Sequence, residues 1–308
     1  MFTHHSHIYV EPEAGVRPVT RFIEKARGEL GIDIYYLADR QILRAIHQAI
    51  QNGVITYVIL EQHPYRMSSR LVAKEVDRLR AIGAHVKFAP ERFDTGYRFN
   101  HIKIAITAGA ALIGTANWDY SAFHRNREYL YVTRSNTVVA ALQTLFHADW
   151  LGVRAHARAA ERAAGLVVSP GSTGTIVHLI ETPGPVEIET EELGVDPAIL
   201  HALEAKGRFV RMILPARLSR TDMKNVAAVR RAGVRVRLMP VRPIYMHAKA
   251  IEAGRGAFVG SENFSISSLT RNREAGILLR DPTELQILKR QFDRDWTRAG
   301  RGPAAGSG

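Results

Sequence analysis

Residues 101–128 read HIKIAITAGAALIGTANWDYSAFHRNRE, and residues 247–274 read HAKAIEAGRGAFVGSENFSISSLTRNRE. Set side by side without a gap, they agree at ten of 28 positions: His101/His247, Lys103/Lys249, Ala111/Ala257, Gly114/Gly260, Asn117/Asn263, Ser121/Ser267, Arg125/Arg271, Asn126/Asn272, Arg127/Arg273 and Glu128/Glu274. Every pair lies 146 residues apart, from 101 to 247 at one end and from 128 to 274 at the other. A duplication kept only for packing would share apolar residues first. Most of the shared residues here are polar, so the repeat reads as a duplicated site.

On a strand, successive side chains face opposite ways. His101 and Lys103 therefore point together, while Ile102, Ile104 and Ile106 pack behind them. His247 and Lys249 repeat the pattern. A turn follows, at Ala108–Gly109 and at Gly254–Arg255, and a short strand returns through Gly114 and Gly260. That hairpin brings Asn117 and Asn263 near the ends of the His/Lys strands. Glycine at 114 and 260 is expected where backbone closely approaches a ligand.

Outward from the repeat, strand-like and helix-like segments alternate. Before the first copy we expect a helix over 19–30, a strand over 32–37, a helix over 39–51 closed by Asn52-Gly53, and a strand over 54–60. A helix ending at Gly83 and a strand over 85–88 follow. After the first copy come a strand over 128–132 and a helix over 135–150. His147 lies alone in that helix, as a satisfied helix or core histidine. The second half repeats the order, with helices over 197–206, 221–232 and 281–296. This predicts two similar α/β domains related by a pseudo-twofold axis, with mixed sheets flanked by helices. We place the first domain at 1–152, a connector at 153–170, the second domain at 171–299 and a flexible tail at 300–308. The Ala- and Arg-rich run 152–165 reads as a solvated connector. Glu187–Glu192 holds four glutamates (EIETEE), expected on an exposed edge strand or loop in preference to an acidic metal site. His4, His5 and His7 are expected on a frayed end.

The chain has 308 residues, enough for about two domains. A hydrophobic share of 46% supports real cores, and no apolar run reaches membrane-spanning length. Absence of cysteine excludes disulfides and thiolate metal sites. The first residues lack a basic segment followed by an apolar one, which predicts a cytoplasmic protein or one whose leader has been removed. Lys and Arg number 42 against 30 Asp and Glu, a formal charge of +12. That excess favours a polyanionic partner, either nucleic acid or an anionic phospholipid surface.

Each copy supplies one imidazole, one ammonium and one amide. Two sets facing each other suit phosphodiester chemistry. One neutral imidazole attacks phosphorus and the other protonates the leaving oxygen. Lys103, Asn117, Lys249 and Asn263 surround the nonbridging oxygens where charge develops. Glu128 and Glu274 accept a hydrogen bond from a histidine's other ring nitrogen and fix its tautomer. Ser121 and Ser267, with the two glycines, support the arrangement. The cations are built in, so neither a metal nor a cofactor is expected. With both sets in one chain, a monomer can hold a complete site. The alternative is a decayed duplication that only binds nucleic acid or membrane.

At these residues the sequence resembles the phospholipase D superfamily, whose signature is HxKxxxxD followed by a Gly-[Gly/Ser/Thr]-x-x-Asn segment. Here it reads His101-Ile-Lys103 with Gly114-Thr-Ala-Asn117, and His247-Ala-Lys249 with Gly260-Ser-Glu-Asn263. The resemblance implies one active site between two α/β domains and a covalent phosphohistidine. Water or an alcohol resolves that intermediate. It also implies His101 as nucleophile and His247 as general acid. The signature Asp falls at Ala108 and Gly254, so both copies lack it. Among the superfamily's substrates, the basic chain and its length, about that of two fused short nucleases, point to nucleic acid first. Phospholipid hydrolysis or phosphatidyl transfer comes second. Pro64–Met67 and Trp118–Tyr120 are loops that either stack bases or touch headgroups, or serve equally as ordinary packing.

Overall fold

The computed structural model describes residues 6–95, 97–154 and 158–300. The first half opens with β1 (Ser6–Glu11), α1 (Arg17–Glu24), β2 (Glu29–Ile34) and α2 (Arg40–Gln51). It continues with β3 (Ile55–Leu60), α3 (Ser69–Ala81) and β4 (His85–Phe88). The repeat then gives β5 (Lys103–Thr107), β6 (Ala111–Gly114), α4 (Tyr120–His124) and β7 (Asn126–Thr133), and α5 (Asn136–Trp150) closes the half. Helix α6 (Arg158–Ala163) leads to β8 (Leu166–Ser169), α7 (Thr173–Glu181), β9 (Val186–Thr190) and α8 (Pro197–Lys206). Next come β10 (Val210–Pro215), α9 (Arg220–Arg231), β11 (Arg235–Met239) and the two-residue β12 (Tyr245–Met246). The second copy forms β13 (Lys249–Glu252), β14 (Ala257–Gly260), α10 (Ile266–Thr270) and β15 (Glu274–Leu279), and α11 (Pro282–Gly300) ends the described chain.

The first sheet runs β1-β7-β6-β5-β2-β3-β4 and the second β8-β15-β14-β13-β9-β10-β11. The two orders match strand for strand, as a duplication requires. In each sheet the βαβ units are parallel and the repeat hairpin is antiparallel, so both sheets are mixed. Local chemistry sets the elements. In α2, Ile42, Ala45, Ile46 and Ala49 are buried at helical spacing, and the Asp39 carboxylate caps the N–H groups of Gln41 and Ile42. Helix α9 begins with a Ser219/Asp222 capping box. One core lies between the sheets and joins both halves through α5 and α11, with Phe146, Met246, Val259 and Phe292 among its members. Two outer cores bind the other helices, apart from α6, to the opposite sheet faces. Among the described residues no helix is long and apolar enough to cross a membrane.

Several expectations need correction. Helix α1 stops at Glu24, not Leu30, because Gly28 takes a positive φ of 70° and turns the chain directly into β2. Leu166–Ser169, assigned above to the connector, form strand β8 of the second sheet. The run Glu187–Glu192 is not an exposed edge. Its first four residues lie in β9, hydrogen-bonded between β10 and β13. Partners distant in sequence make that burial possible: Glu187 meets Arg211 and Lys289, and Glu189 accepts from the Tyr129 hydroxyl. His7 is part of β1, opposite Val132, with its ring edge-on to Tyr9. His4 and His5 lie outside the described residues, as do 301–308 of the tail. Of the two readings of His147 the helix one holds: it is exposed on α5, 3.4 Å from Glu29, and not in the core.

Two buried ion pairs lock the halves together. Arg127 Nε donates to Asp295 at 2.6 Å, and Arg273 Nε donates to Asp149 at 2.6 Å. Both the arginines and the aspartates are 146 residues apart, so each half clamps the other in the same way. Along β7 and into β15, this arginine and the following glutamate point to opposite sides. The arginine serves the interface and the glutamate the cleft.

Candidate active site

Each histidine stands just before a repeat strand, held against the other half by backbone bonds. His101 N–H donates to the Arg273 carbonyl at 2.8 Å, and Arg273 N–H donates to the Phe99 carbonyl at 2.9 Å. In the second half β12 pairs with Asn126 and Arg127, and His247 N–H reaches the Arg127 carbonyl at 3.3 Å. This pairing sets each histidine beside the glutamate that follows the other half's arginine. His101 Nδ1 lies 2.9 Å from Glu274, and His247 Nδ1 lies 2.6 Å from Glu128. The glutamates are therefore exchanged between the halves.

Hydroxyls and amides orient those glutamates. Ser268 and Asn272 donate to Glu274 Oε1 at 2.7 and 3.2 Å. Thr115 donates to Glu128 Oε2 at 2.5 Å, and Asn126 to Oε1 at 3.3 Å. Burial resists the charge on Glu274, but His101, Lys103 and the Ser268 bond outweigh it and hold its pKa below the ordinary value. Burial pushes the His101 imidazole below its ordinary pKa against the pull of Glu274, and Lys103 adds to the depression. A neutral ring with Nδ1–H held by Glu274 presents a lone pair at Nε2. Among the described residues nothing hydrogen-bonds that Nε2.

Lys103 and Lys249 are fully buried. Their ammonium groups donate to the carbonyls of His101 and His247 at 2.6 and 2.7 Å, which ties each lysine to its own histidine. Burial lowers the Lys103 pKa to about 7, against the opposing charge of Glu274. Asn117 and Asn263 line the same cleft, and the buried Oδ1 of each has no hydrogen-bond partner among the described residues. The cleft encloses about 640 Å³. The loop leading to His101 is pinned from below: Asn100 N–H donates to Glu61, and its side chain to Asp33. Glu61, His63 and Asp94 have ligand atoms within 4.8 Å of one another, and hydrogen bonds link these groups directly.

Some predicted supports act differently. What crowds Gly114 and Gly260 is neighbouring protein backbone. A Cβ on Gly114 would lie 2.7 Å from the Tyr129 carbonyl, and one on Gly260 would lie 2.5 Å from Gly276 Cα. The glycines let neighbouring strands pass. Ser121 closes the turn of α4 through its carbonyl, outside the cleft lining, whereas Ser267 lines the cleft. The hydroxyls that touch the glutamates are Thr115 and Ser268. Trp118 is completely buried and cannot stack on a base, while Tyr65 is 70% exposed and lines the cleft. Ala108 and Gly254 sit past the far ends of β5 and β13. Seven residues of extended chain put them roughly 20 Å from the histidines.

Sequence reasoning missed Glu191. Its Oε2 lies 2.8 Å from Lys249 Nζ and 3.2 Å from His247 Nε2. Burial disfavours its charge, but His247 and Lys249 win and bring its pKa down to about 2. The register names its counterpart: Thr190 pairs with Lys249 as Ile34 pairs with Lys103, so Glu191 corresponds to Tyr35. Tyr35 packs edge-on against His101 and lies under the Lys103 ammonium. The only available sequence signal was the alternation Glu187, Glu189, Glu191, which places all three on one strand face.

Comparison with known proteins extends this picture. The family model described as cardiolipin synthase, PLD-like domain, matches residues 19–150 and 191–296. No curated protein matches the sequence. The solved polyphosphate kinase from Porphyromonas gingivalis superposes on 94% of this chain with a TM-score of 0.72 at 18% identity, and the chain spans 50% of that protein. Phosphatidylserine synthase from Haemophilus influenzae Rd KW20 gives a TM-score of 0.70 over 97% of this chain and 87% of its own, at 14% identity. At such identities the likeness is one of fold. The family match spans both repeats and the strands that carry the exchanged glutamates, and on that ground the chain belongs to the phospholipase D superfamily.

Proposed function

We propose that the protein breaks phosphodiesters without a metal, through a phosphohistidine on His101. His101 Nε2 attacks phosphorus and forms a P–N bond. The P–O bond to the leaving group breaks as His247 Nε2 gives that oxygen its proton. His247 then takes a proton from water or an alcohol, which attacks phosphorus and releases His101. Lys103, Lys249, Asn117 and Asn263 hold the nonbridging oxygens. The observation that carries the reading is the exchanged pair of His–Glu contacts opening on one cleft. Both ring nitrogens of His247 face carboxylates, which suits a proton donor, whereas His101 Nε2 is unengaged among the described residues.

The cleft lining favours a diester with one phosphate at the reacting centre, a phospholipid headgroup ester first. Glu191, Glu192 and Asp222 line it, with Arg217 opposing. Burial raises Glu192 to about 7, with Glu191 and Asp222 adding repulsion. A polynucleotide would set adjacent phosphates against these carboxylates. Nucleic acid is the second reading. It is supported by the +12 charge and by a separate groove lined by Arg92, Arg98, Arg154, Arg158, Arg271 and Arg273.

Bis(p-nitrophenyl) phosphate in excess EDTA tests the mechanism, because its leaving group departs without a proton. His247→Ala should release up to one equivalent of p-nitrophenol and then stall. His101→Ala should release none. A burst in His101→Ala, or turnover abolished by EDTA, would refute the mechanism. Parallel assays with phospholipid vesicles and labelled oligonucleotides decide the substrate class.

A further inference from the structure

The two repeats supply equivalent His, Lys, Asn and Glu, yet the two half-sites differ in one charge. Beside His101 and Lys103 stands the neutral Tyr35; beside His247 and Lys249 stands Glu191. One carboxylate oxygen of Glu191 touches both Lys249 Nζ and His247 Nε2, at 2.8 and 3.2 Å. Those two donors are the groups that a phosphate oxygen would meet in this half of the cleft. The Tyr245 hydroxyl lies 3.5 Å from the other oxygen and steadies the carboxylate.

We infer that Glu191 is a specificity-determining residue, a built-in anion that occupies the His247/Lys249 half-site and selects singly charged phosphodiesters over doubly charged phosphates. The inference rests on the phosphodiester reading of the same cleft. A substrate oxygen must displace the carboxylate or share its donors. A diester brings one negative charge near Glu191, whereas a phosphomonoester or inorganic phosphate brings ~1.5–2 at neutral pH. Repulsion at this range in a partly buried site is large enough to sort the two. Monoester products would leave readily for the same reason. Glu191 is ionised throughout the working range, so the selection does not switch off near neutrality.

Calorimetric titration with inorganic phosphate needs no turnover. Glu191→Gln should bind phosphate at least about tenfold more tightly than wild type, because one opposing charge is gone. Glu191→Asp, which keeps the charge, should stay close to wild type. Unchanged or weaker binding in a Glu191→Gln protein with a normal melting transition would overturn the inference. The unaltered protein supplies a second measurement that does not depend on any variant folding: dimethyl phosphate should bind at least as well as methyl phosphate. Clear preference for the methyl phosphate dianion would equally overturn it. If these binding results hold but no diester is turned over, the phosphodiesterase reading fails and the anion role of Glu191 stands.

Discussion

Replacing Glu274 by Gln exchanges one oxygen for an NH2 and removes one charge, and the neighbours dictate how the amide sits. Ser268 and Asn272 both donate to Oε1, at 2.7 and 3.2 Å. His101 Nδ1 meets the other oxygen at 2.9 Å. The amide keeps its carbonyl toward the two donors, which turns its NH2 toward His101. The ring must then accept at Nδ1 and carry its proton on Nε2, so the attacking lone pair is lost. Loss of the charge-assisted bond alone costs about 1.5–3 kcal/mol, roughly 10- to 150-fold in rate. The wrong tautomer adds to this, and the analogous Asp→Asn change in a serine protease triad costs roughly ten-thousandfold. The Ser261 carbonyl, 3.2 Å from Nδ1, gives the productive tautomer an uncharged partner and keeps the loss below that limit. A fall of roughly a thousandfold in the p-nitrophenol burst rate is expected.

Glu128→Gln is the internal control. Thr115 meets Oε2 and His247 meets Oε1, and a hydroxyl accepts as readily as it donates. Gln can turn its NH2 toward Thr115 and keep its carbonyl on His247. The charge and the bond donated by Thr115, whose oxygen already accepts from Tyr129 N–H, are lost without a change of tautomer, and the p-nitrophenol burst does not need a proton from His247. The burst rate of Glu128→Gln should stay within about tenfold of wild type, with steady-state turnover reduced roughly 10- to 150-fold. A Glu274→Gln burst within tenfold of wild type, or equal losses in the two variants, would refute both the tautomer argument and His101 as nucleophile.

Three further outcomes follow from the structure. The profile of kcat/KM against pH should be bell-shaped. Its acid limb should lie below the ordinary histidine range, because the depressed His101 must lose its proton to attack. Its alkaline limb should lie at about 7, where free Lys103 loses its charge, and Lys103→Arg should move that limb outward; a flat profile above neutrality would contradict this assignment. Asp295→Ala removes one of the two carboxylates that hold the fully buried Arg127, leaving Glu13, and should cost about 1.5–3 kcal/mol, a fall in Tm of roughly 3–12 °C by calorimetry. Gly260→Ala drives a methyl group onto the backbone of Gly276 and should lower stability by about 1–3 kcal/mol, read from the urea midpoint.

The repeat was legible because most of its shared residues are polar and the duplication preserved their spacing. Alternating strand and helix patterns likewise gave the α/β class. The exchange of glutamates was not legible. Two identical motifs say nothing about whether Glu128 serves His101 or His247. That choice is made by the bonds of His101 and His247 to Arg273 and Arg127, contacts between segments far apart in sequence. Local pattern also failed where partners are distant. The buried strand β9 carries alternate glutamates, and charge alone made it look solvated.

Glu191 was hidden for a related reason. Its counterpart is Tyr35, a separation of 156 residues (35 to 191), while the repeat runs at 146. The connections between β2 or β9 and the repeats differ in length, so an ungapped comparison never aligns the two positions. This has a chemical consequence. Duplication delivers two equivalent histidines, but phosphoryl transfer through a covalent intermediate needs one neutral and one protonated ring. The repeated motif cannot supply that difference, since it is the same on both sides. In the mechanism proposed above that difference comes from outside the repeat, from the residue after β9: Glu191 lies against His247 Nε2, and among the described residues no carboxylate lies against His101 Nε2.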